Sequence, residues 1–135
     1  MSNNWKSKNR HKYLLQYHLI FMCKYRKKLF INQDISDDIK QFSYEICKRH
    51  NVTIHKMEMD KDHIYYMIET EPNINLSNLV RTMKSYTTYH IWKLHKNYLS
   101  RHFWKENTFF TDGYFICSIG NVSEKQLKKY IENQG

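Results

Sequence analysis

The stretch that decides the fold is VTIHKMEMDKDHIYYMIE, residues 52–69. Its first eight residues alternate as a half-buried β-strand does, with apolar markers at Val52, Ile54 and Met57. A Lys-Asp turn at 61–62 separates this run from a second strand at 63–69. Two short strands joined by a tight polar turn predict an antiparallel β-hairpin.

The second strand of this hairpin has two different faces, because alternate residues of a strand share a face. One face carries His63, Tyr65 and Met67, and the other carries Ile64, Tyr66 and Ile68.

Five further elements are predicted on either side of the hairpin. They are a strand at 13–23, a helix at 34–49, a long helix from Asn75 to about His95, a strand at 114–119, and a final helix opened by a Ser123–Gln126 capping box. Residues 98–104 are predicted to be irregular. The resulting order contains two β-α-β units, which indicates one α+β domain over residues 1–135. We expect a ferredoxin-like antiparallel sheet with helices on one face, plus a C-terminal helix that carries Tyr130.

Composition narrows the class of partner. The 135-residue chain has 22 Lys and Arg against 13 Asp and Glu, a formal net charge of +9, which indicates a polyanionic partner. Aromatic residues make up 16% of the chain, which excludes a disordered basic tail. Because there are only 3 Gly and 1 Pro, collagen-like and linker-rich proteins are excluded too. Composition does not separate an enzyme acting on nucleic acid from a passive binder.

The cysteines and the N-terminus indicate a reducing, cytoplasmic location. Cys23, Cys47 and Cys117 are odd in number and widely spaced, unlike a disulfide framework or a zinc knuckle. Residues 1–12 lack the apolar core of a signal peptide. Residues 13–23, the most apolar stretch, are too few to span a bilayer, so we expect no membrane partner.

Tyr130 and Gln134 are four residues apart, so a helix places them on one face about one turn from each other. A tyrosine hydroxyl can attack a phosphodiester and leave a covalent phosphotyrosine. The attack needs a Lewis acid that polarises the phosphate and a scaffold that aligns the groups. A strand carrying His63 that faced this helix would supply both.

Four short motifs follow one another along the chain: YHLIF at 17–21, KYRK at 24–27, DKDHI at 60–64 and YIENQ at 130–134. In this order and at these separations they resemble the small single-tyrosine transposases of the insertion-sequence 200/605 family. That family belongs to the HUH endonuclease superfamily, named for a His-hydrophobe-His strand. The resemblance covers about residues 12–134, and the strand and tyrosine-helix motifs are specific as a pair.

The resemblance implies a metal-dependent DNA transposase. Such proteins are ferredoxin-like homodimers that bind hairpins at the ends of a single-stranded insertion element. They cleave and rejoin the DNA through a 5′-phosphotyrosine bond, and the tyrosine helix often docks on the partner subunit to give composite active sites. By this resemblance Tyr130 matches the nucleophile, while His63 and Gln134 match ligands of a divalent metal, Mg²⁺ or Mn²⁺.

One position departs from the family pattern. The second histidine of the HUH strand should stand at residue 65, where this sequence has Tyr65. Neutral imidazole offers a lone pair to a metal, whereas a phenol is a poor ligand until it loses its proton. We therefore predict weakened metal binding and reduced or absent cleavage with Mg²⁺ unless a neighbour substitutes. His55 is one possible substitute, and Asp62 is another, although its side chain is expected to face away from the site.

DNA binding is predicted to use two groups of cations. Arg81 and Lys84 lie one turn apart on the long helix, and the turn after the first strand carries Lys24, Arg26 and Lys27. Hairpin and single-strand recognition needs such phosphate contacts together with aromatic stacking platforms. We expect the affinity for DNA to fall steeply with salt.

Two other functions stay open at this point. Tyr65 motivates a catalytically impaired relative that binds hairpin DNA without cutting it. A ferredoxin-like RNA-binding module is the third hypothesis, and it predicts base stacking on an exposed sheet face. This last hypothesis leaves Tyr130 and Gln134 without a purpose, so it ranks below the others.

Overall fold

A computed structural model describes residues 6–8, 11–119 and 124–133. Its strands are β1 (Lys6–Lys8), β2 (His11–Tyr13), β3 (Leu15–Met22), β4 (Thr53–Asp60), β5 (His63–Thr70) and β6 (Phe115–Ser118). Its helices are α1 (Gln33–Arg49), α2 (Leu76–Ser100) and α3 (Glu124–Asn133). Two short 3₁₀ turns, Lys24–Arg26 and Leu29–Ile31, connect β3 to α1.

The main sheet has four strands in the order β4-β5-β3-β6, and each neighbouring pair is antiparallel. α1 connects β3 to β4 past the intervening β5, and α2 connects β5 to β6 past β3. Two interleaved β-α-β units of this kind make the ferredoxin-like arrangement, so the predicted fold class is confirmed. β1 and β2 form a separate small hairpin that was not predicted.

One face of the main sheet packs against α1 and α2. The side chains of β3 and β5 on this face are fully buried: Leu19, Phe21, Ile64, Tyr66 and Ile68. The helices add buried residues at helical spacing, Ile35, Ile39 and Ile46 from α1 and Val80, Met83 and Ile91 from α2. The main hydrophobic cluster therefore lies between the sheet and the two helices, and the other face of the sheet also buries Ile20 and Met22.

Asparagine caps begin both long helices. Oδ1 of Asn32 accepts a hydrogen bond from the Ile35 amide at 3.1 Å, and Oδ1 of Asn75 accepts one from the Asn78 amide at 3.0 Å. The first amides of a helix have no partner within the helix, so these caps stabilise both starts. The predicted start of the long helix after Asn75 is confirmed.

The long helix runs further than predicted. α2 continues to Ser100, whereas we expected it to end near His95 and residues 98–104 to be irregular. His95 itself has non-helical angles, φ −126° and ψ 33°, and its Nε2 lies 2.6 Å from Oδ2 of Asp38. The kink interrupts the apolar pattern at the point where the prediction ended the helix, but the helix then resumes.

The β4–β5 hairpin forms as predicted, with one irregularity. Ile54 pairs with Ile68 and Lys56 with Met67, so His55 is an extra residue in β4, as in a β-bulge. The predicted capping residue Ser123 and the predicted ligand Gln134 lie outside the described residues. Within the part of the chain that the structure describes, no helix is long and apolar enough to cross a membrane.

Candidate active site

The sheet face opposite α1 and α2, called the site face below, carries the histidine strand. β5 contributes His63, Tyr65 and Met67 to it, and their partners on β3 are Met22, Ile20 and His18. Residues that pair across antiparallel strands point to the same face. The site face therefore combines the predicted ligand strand with a second histidine on β3.

α3 lies on the site face, because the ring of Tyr130 packs against the ring of Phe115 with 4.9 Å between the centroids. Phe115 pairs with Ile20, and Ile20 pairs with Tyr65, so these side chains form one row across three strands. Strands lie about 4.8 Å apart, which puts Phe115 roughly 10 Å from Tyr65. The structure thus brings the tyrosine helix and the histidine strand to one face.

The hydroxyl of Tyr130 is half-buried, and burial raises its pKa above the ordinary value of a tyrosine. The side chain is therefore a neutral phenol at neutral pH. A neutral phenol becomes a nucleophile only when its proton has an acceptor as the attack proceeds.

His63 is hydrogen-bonded to the carboxylate of Asp62, and that carboxylate also forms an ion pair with Arg26. Nδ1 of His63 lies 2.9 Å from Oδ1 of Asp62, and Nε of Arg26 donates to Oδ2 of the same carboxylate at 2.9 Å. Burial raises the pKa of Asp62, but hydrogen bonds and charge from His63 and Arg26 outweigh it and lower the pKa overall. An ionised carboxylate only accepts hydrogen bonds, so Nδ1 of His63 is the donor, and in the neutral ring the lone pair is then on Nε2.

Tyr65 is tied to the neighbouring strand. Its hydroxyl lies 2.6 Å from Nδ1 of His18, a residue of the first motif for which no separate role was predicted. Burial is the main influence on Tyr65 and raises its pKa. A neutral phenol in a hydrogen bond therefore stands where the family pattern has an imidazole.

These side chains fit a divalent metal unevenly. Nε2 of His63 suits a ligand, because a carboxylate on the other ring nitrogen is the usual support of a metal-binding histidine. Tyr65 does not fit, since its hydroxyl is engaged by His18. Among the described residues no group of three His, Cys, Asp or Glu side chains could hold a metal ion.

The two residues considered as replacement ligands have other partners. Nε2 of His55 lies 2.9 Å from Oε1 of Glu69, at the opposite end of the hairpin from His63. Asp62 contacts the His63 ring, so our expectation that its side chain faces away from the site is not met. It lies beside His63 as a support rather than as a replacement for residue 65.

The cations of the 24–28 loop differ in whether they already form an ion pair with an acidic side chain. Nζ of Lys24 lies 3.7 Å from Oε1 of Glu106, a partly exposed pair that can exchange for a phosphate. Arg26 forms an ion pair with Asp62 through Nε at 2.9 Å, and its predicted contact with DNA stays a prediction. Lys27 is partly exposed.

The helix cations differ as well. Nζ of Lys84 donates to the carbonyls of Thr111, Asp112 and Gly113 at 2.7, 3.1 and 2.8 Å. All three ammonium protons are used, so Lys84 fixes the turn before β6, and its predicted contact with DNA stays a prediction. Burial lowers the pKa of Lys84 to about 8, against an opposing effect of Asp112. Arg81 is exposed and donates to Oδ1 of Asn78.

A groove follows α2 beside residues 107–114, and it was not predicted. Its two parts, of about 430 and 470 Å³, share Ser85, Thr88 and Asn107. The second part is lined by the aromatic and basic side chains of Tyr89, Trp92, Lys93 and Lys96, and by no acid. The four-residue spacing of Tyr89 and Lys93 on a helix was the available signal.

Two exposed aromatic rings carry lysines: Tyr89, which lines this groove, and Trp104, three residues before the groove residue Asn107. Nζ of Lys93 lies 5.3 Å from the ring centre of Tyr89, and Nζ of Lys105 lies 4.9 Å from that of Trp104. Tyr89 is 60% exposed and Trp104 is 82% exposed, which is unusual for rings of this size. Exposed rings with adjacent cations suit the stacking of unpaired bases.

The family model for IS200-like transposases matches residues 11–134. The chain belongs to this transposase family. A curated relative, the ISDra2 transposase TnpA of Deinococcus radiodurans, is 24% identical over 90% of this chain and 85% of its own length. The transposase for insertion sequence element IS200 of Salmonella typhimurium is 25% identical over 88% of this chain and 76% of its own.

Solved structures agree with this transposase fold. The chain is similar to a candidate transposase from Deinococcus radiodurans, with a TM-score of 0.86, 21% identity and coverage of 96% of this chain and 97% of that one. It is also similar in fold to a REP-associated tyrosine transposase bound to a REP hairpin, with a TM-score of 0.56, 12% identity and coverage of 94% and 69%. The resemblance drawn from the four motifs is thereby confirmed at the level of family and fold. Transposases of this family are in general metal-dependent.

Proposed function

We propose that this transposase binds hairpins at the ends of a single-stranded insertion element and cleaves and rejoins the DNA through a 5′-phosphotyrosine bond to Tyr130. The observation that carries the proposal is the packing of Tyr130 on Phe115, over the same sheet face as His63. Family membership supports the reaction class. A neighbour in fold that was solved with a hairpin supports the DNA partner.

The covalent step conserves phosphodiester bonds. Oη of Tyr130 attacks the phosphorus and gives up its proton to solvent, the bond from phosphorus to the 3′ oxygen breaks, and that oxygen takes up a proton from solvent to leave as a 3′-OH. Rejoining is the reverse reaction, in which a 3′-OH attacks the phosphotyrosine and releases the phenol. No external energy source is needed, because one ester bond replaces another.

His63 and Gln134 are the proposed protein ligands of a divalent ion, Mg²⁺ or Mn²⁺. When bound, such an ion polarises the scissile phosphate and stabilises its developing charge. Asp62 contributes by accepting a hydrogen bond from Nδ1 of His63, which leaves Nε2 of the neutral ring free to donate its lone pair.

The proposed DNA surface combines the 24–28 loop with the groove along α2. Lys24, Lys27, Arg81, Lys93 and Lys96 supply charge for the phosphates. Tyr89 and Trp104 supply exposed rings for unpaired bases. Lys84 supports this surface from below through the 111–113 carbonyls.

A covalent trap tests the nucleophile. The protein is incubated with single-stranded element ends and Mg²⁺ or Mn²⁺, and the adduct is resolved by denaturing gel electrophoresis and peptide mass spectrometry. We expect the adduct on Tyr130 and none with Tyr130→Phe. The Phe ring retains the contact with Phe115, so the fold is unchanged, and an adduct that persists in Tyr130→Phe would overturn the assignment.

We also propose a homodimer with composite active sites, as the family resemblance implies. Tyr130 packs on Phe115 of its own sheet in the single chain, so this arrangement requires α3 to exchange onto the His63 strand of the partner subunit. A complementation test decides this point. His63→Ala and Tyr130→Phe are each inactive alone, and mixing them restores adduct formation only if one subunit supplies the histidine and the other the tyrosine. Activity that stays absent in a mixed dimer shows that each site is built within one chain.

A second candidate function is favoured by the hydrogen bond between Tyr65 and His18. This hydrogen bond occupies the hydroxyl of Tyr65, and Tyr65 itself stands where the proposed metal site needs a second imidazole. In that case the chain binds hairpin DNA without cutting it. The two functions differ in one measurement, because only the first gives an adduct with the unmodified sequence.

A further inference from the structure

The loop and turn beside His63 are built around one carboxylate. Asp62 uses both oxygens, Oδ1 toward Nδ1 of His63 and Oδ2 toward Nε of Arg26, each at 2.9 Å. The side chains of Asp62 and His63 are only 16% and 12% exposed, so water competes little for these bonds. The hydrogen bonds run in one direction. Arg26 donates to Asp62, Asp62 also accepts from Nδ1 of His63, and Nε2 of His63 has no part in this chain of bonds.

The backbone around Arg26 is shaped to reach this carboxylate. Tyr25 and Arg26 have φ of 60° and 52°, in the left-handed region that non-glycine residues rarely adopt. Two backbone hydrogen bonds clamp the loop to the hairpin turn, from the Cys23 amide to the Asp62 carbonyl at 2.8 Å and from the Phe30 amide to the Lys61 carbonyl at 3.1 Å. The strained conformation therefore serves a fixed Arg26–Asp62 contact.

We propose that Asp62, held by Arg26, is the positioning residue that keeps the proton of His63 on Nδ1 and its lone pair on Nε2. This inference rests on the proposed function only for its consequence, the readiness of Nε2 to bind a metal ion. Neither residue touches the reacting atoms. The KYRK and DKDHI motifs then have a shared purpose, which is to set the tautomer of His63.

An isosteric change at residue 62 separates positioning from packing. In Asp62→Asn the guanidinium of Arg26 still requires an acceptor, so the amide oxygen turns toward Arg26 and the amide NH₂ faces His63. Nδ1 must then accept a hydrogen bond, and the ring proton moves to Nε2. Adding Arg26→Met removes the guanidinium that required an acceptor. The side-chain amide at position 62 can then turn its oxygen toward His63, and the proton of the ring returns to Nδ1.

The direct readout is the tautomer of His63 in the metal-free protein, measured by long-range ¹H–¹⁵N NMR and assigned through its absence in His63→Gln. We expect Nδ1–H in the unmodified chain, Nε2–H in Asp62→Asn, and Nδ1–H again in Asp62→Asn with Arg26→Met. Mn²⁺ affinity, followed by electron paramagnetic resonance, should fall about 10–100-fold in Asp62→Asn and recover in the double variant. Lys28→Met is the matched control, since it removes an exposed cation of the same loop.

The outcomes separate this inference from the proposed function. A His63 that keeps Nδ1–H in Asp62→Asn, or a double variant that does not recover it, overturns the positioning role whatever the activity. If the tautomer switches as expected in Asp62→Asn but the unmodified chain forms no adduct, the positioning role is supported and the proposed reaction is contradicted. Native amide spectra of each variant confirm that the fold is retained.

Discussion

Nδ1 of His18 and the hydroxyl of Tyr65 lie 2.6 Å apart across neighbouring strands of the site face. Burial lowers the pKa of His18 and raises that of Tyr65, so the bond joins two neutral groups. Their ring centres are 5.6 Å apart. This pair occupies the position where the family resemblance predicts the second histidine of the His-hydrophobe-His strand.

Restoring the pattern should restore the metal site. We predict that Tyr65→His raises Mn²⁺ affinity at least tenfold and raises the yield of the Tyr130 adduct, because an imidazole offers the lone pair that a neutral phenol lacks. Tyr65→Phe is the matched control, since it loses the bond to His18 without adding a ligand. Equal affinity and yield in all three chains would show that residue 65 does not limit the metal site.

The exposed ring of Trp104 should bind unpaired bases rather than duplex stems. We predict that Trp104→Ala weakens binding of a single-stranded oligonucleotide by about 1–3 kcal/mol, through the loss of a stacking surface. Binding is measured by fluorescence anisotropy with a hairpin carrying a single-stranded tail and with the same hairpin lacking it. Tyr44→Ala, which removes a 51% exposed ring from α1, is the control. Equal losses for the tailed and the tailless hairpin would contradict base stacking at Trp104.

The cations of the groove should contribute to the salt dependence of the affinity for DNA. Lys93→Gln is expected to weaken binding of all DNA sequences alike and to lower the slope of log K against log salt by about 1. Lys40→Gln, on α1, gives the comparison for an equal change in net charge. A slope that changes equally in both variants would mean that the effect comes from overall charge rather than from the groove.

The sequence predicted the elements of this fold well where the signal was local. The hairpin turn at 61–62 and the cap of Asn75 depend on neighbours in the chain, and both are present. Side-chain pairs between distant residues left no such signal. His18 and Tyr65 are separated by 47 positions, and His95 and Asp38 by 57, so neither the tied phenol nor the kink in α2 followed from spacing.

The candidate site shows the same division. The sequence placed His63 and Tyr130 in the elements that meet on the site face, because strand and helix periodicity are local properties. It assigned Arg26 and Lys84 to DNA from their charge alone. What a cation contacts depends on the backbone folded against it, here the Asp62 turn and the 111–113 carbonyls. Charge alone therefore does not predict which protein groups each cation contacts.

The lowered pKa of Lys84 predicts a pH dependence of stability. Its folded-state pKa of about 8 lies below the unfolded value of 10.5, so the unfolded chain holds more protons between these two values. Stability contributed by this site therefore rises as the pH increases through that window. We expect Tm of the unmodified chain to rise relative to Lys84→Met between pH 8 and 10, by roughly 2–4 °C. A difference in Tm that stays constant or falls with pH would contradict the assignment.

The most deeply buried hydroxyl of the core depends on a single partner. Tyr66 is fully buried, and its hydroxyl lies 2.8 Å from Oγ of Ser43, which itself donates to the carbonyl of Ile39 at 2.7 Å. Since the serine proton is used, Tyr66 is the donor in the bond between them. Ser43→Ala leaves that donor without an acceptor in the core, and we predict a loss of about 1–3 kcal/mol of unfolding free energy.

A double-mutant cycle separates the orphaned donor from lost packing. In a Tyr66→Phe background there is no hydroxyl to leave unpaired, so Ser43→Ala should lower the unfolding free energy by less than about 0.5–1 kcal/mol, close to the net value of one hydrogen bond. Urea denaturation of the four chains gives the coupling directly. Additive losses would mean that Ser43 stabilises α1 independently of Tyr66. Coupling of the expected sign would show that the sheet and α1 are joined in the core by this polar bond as well as by apolar contact.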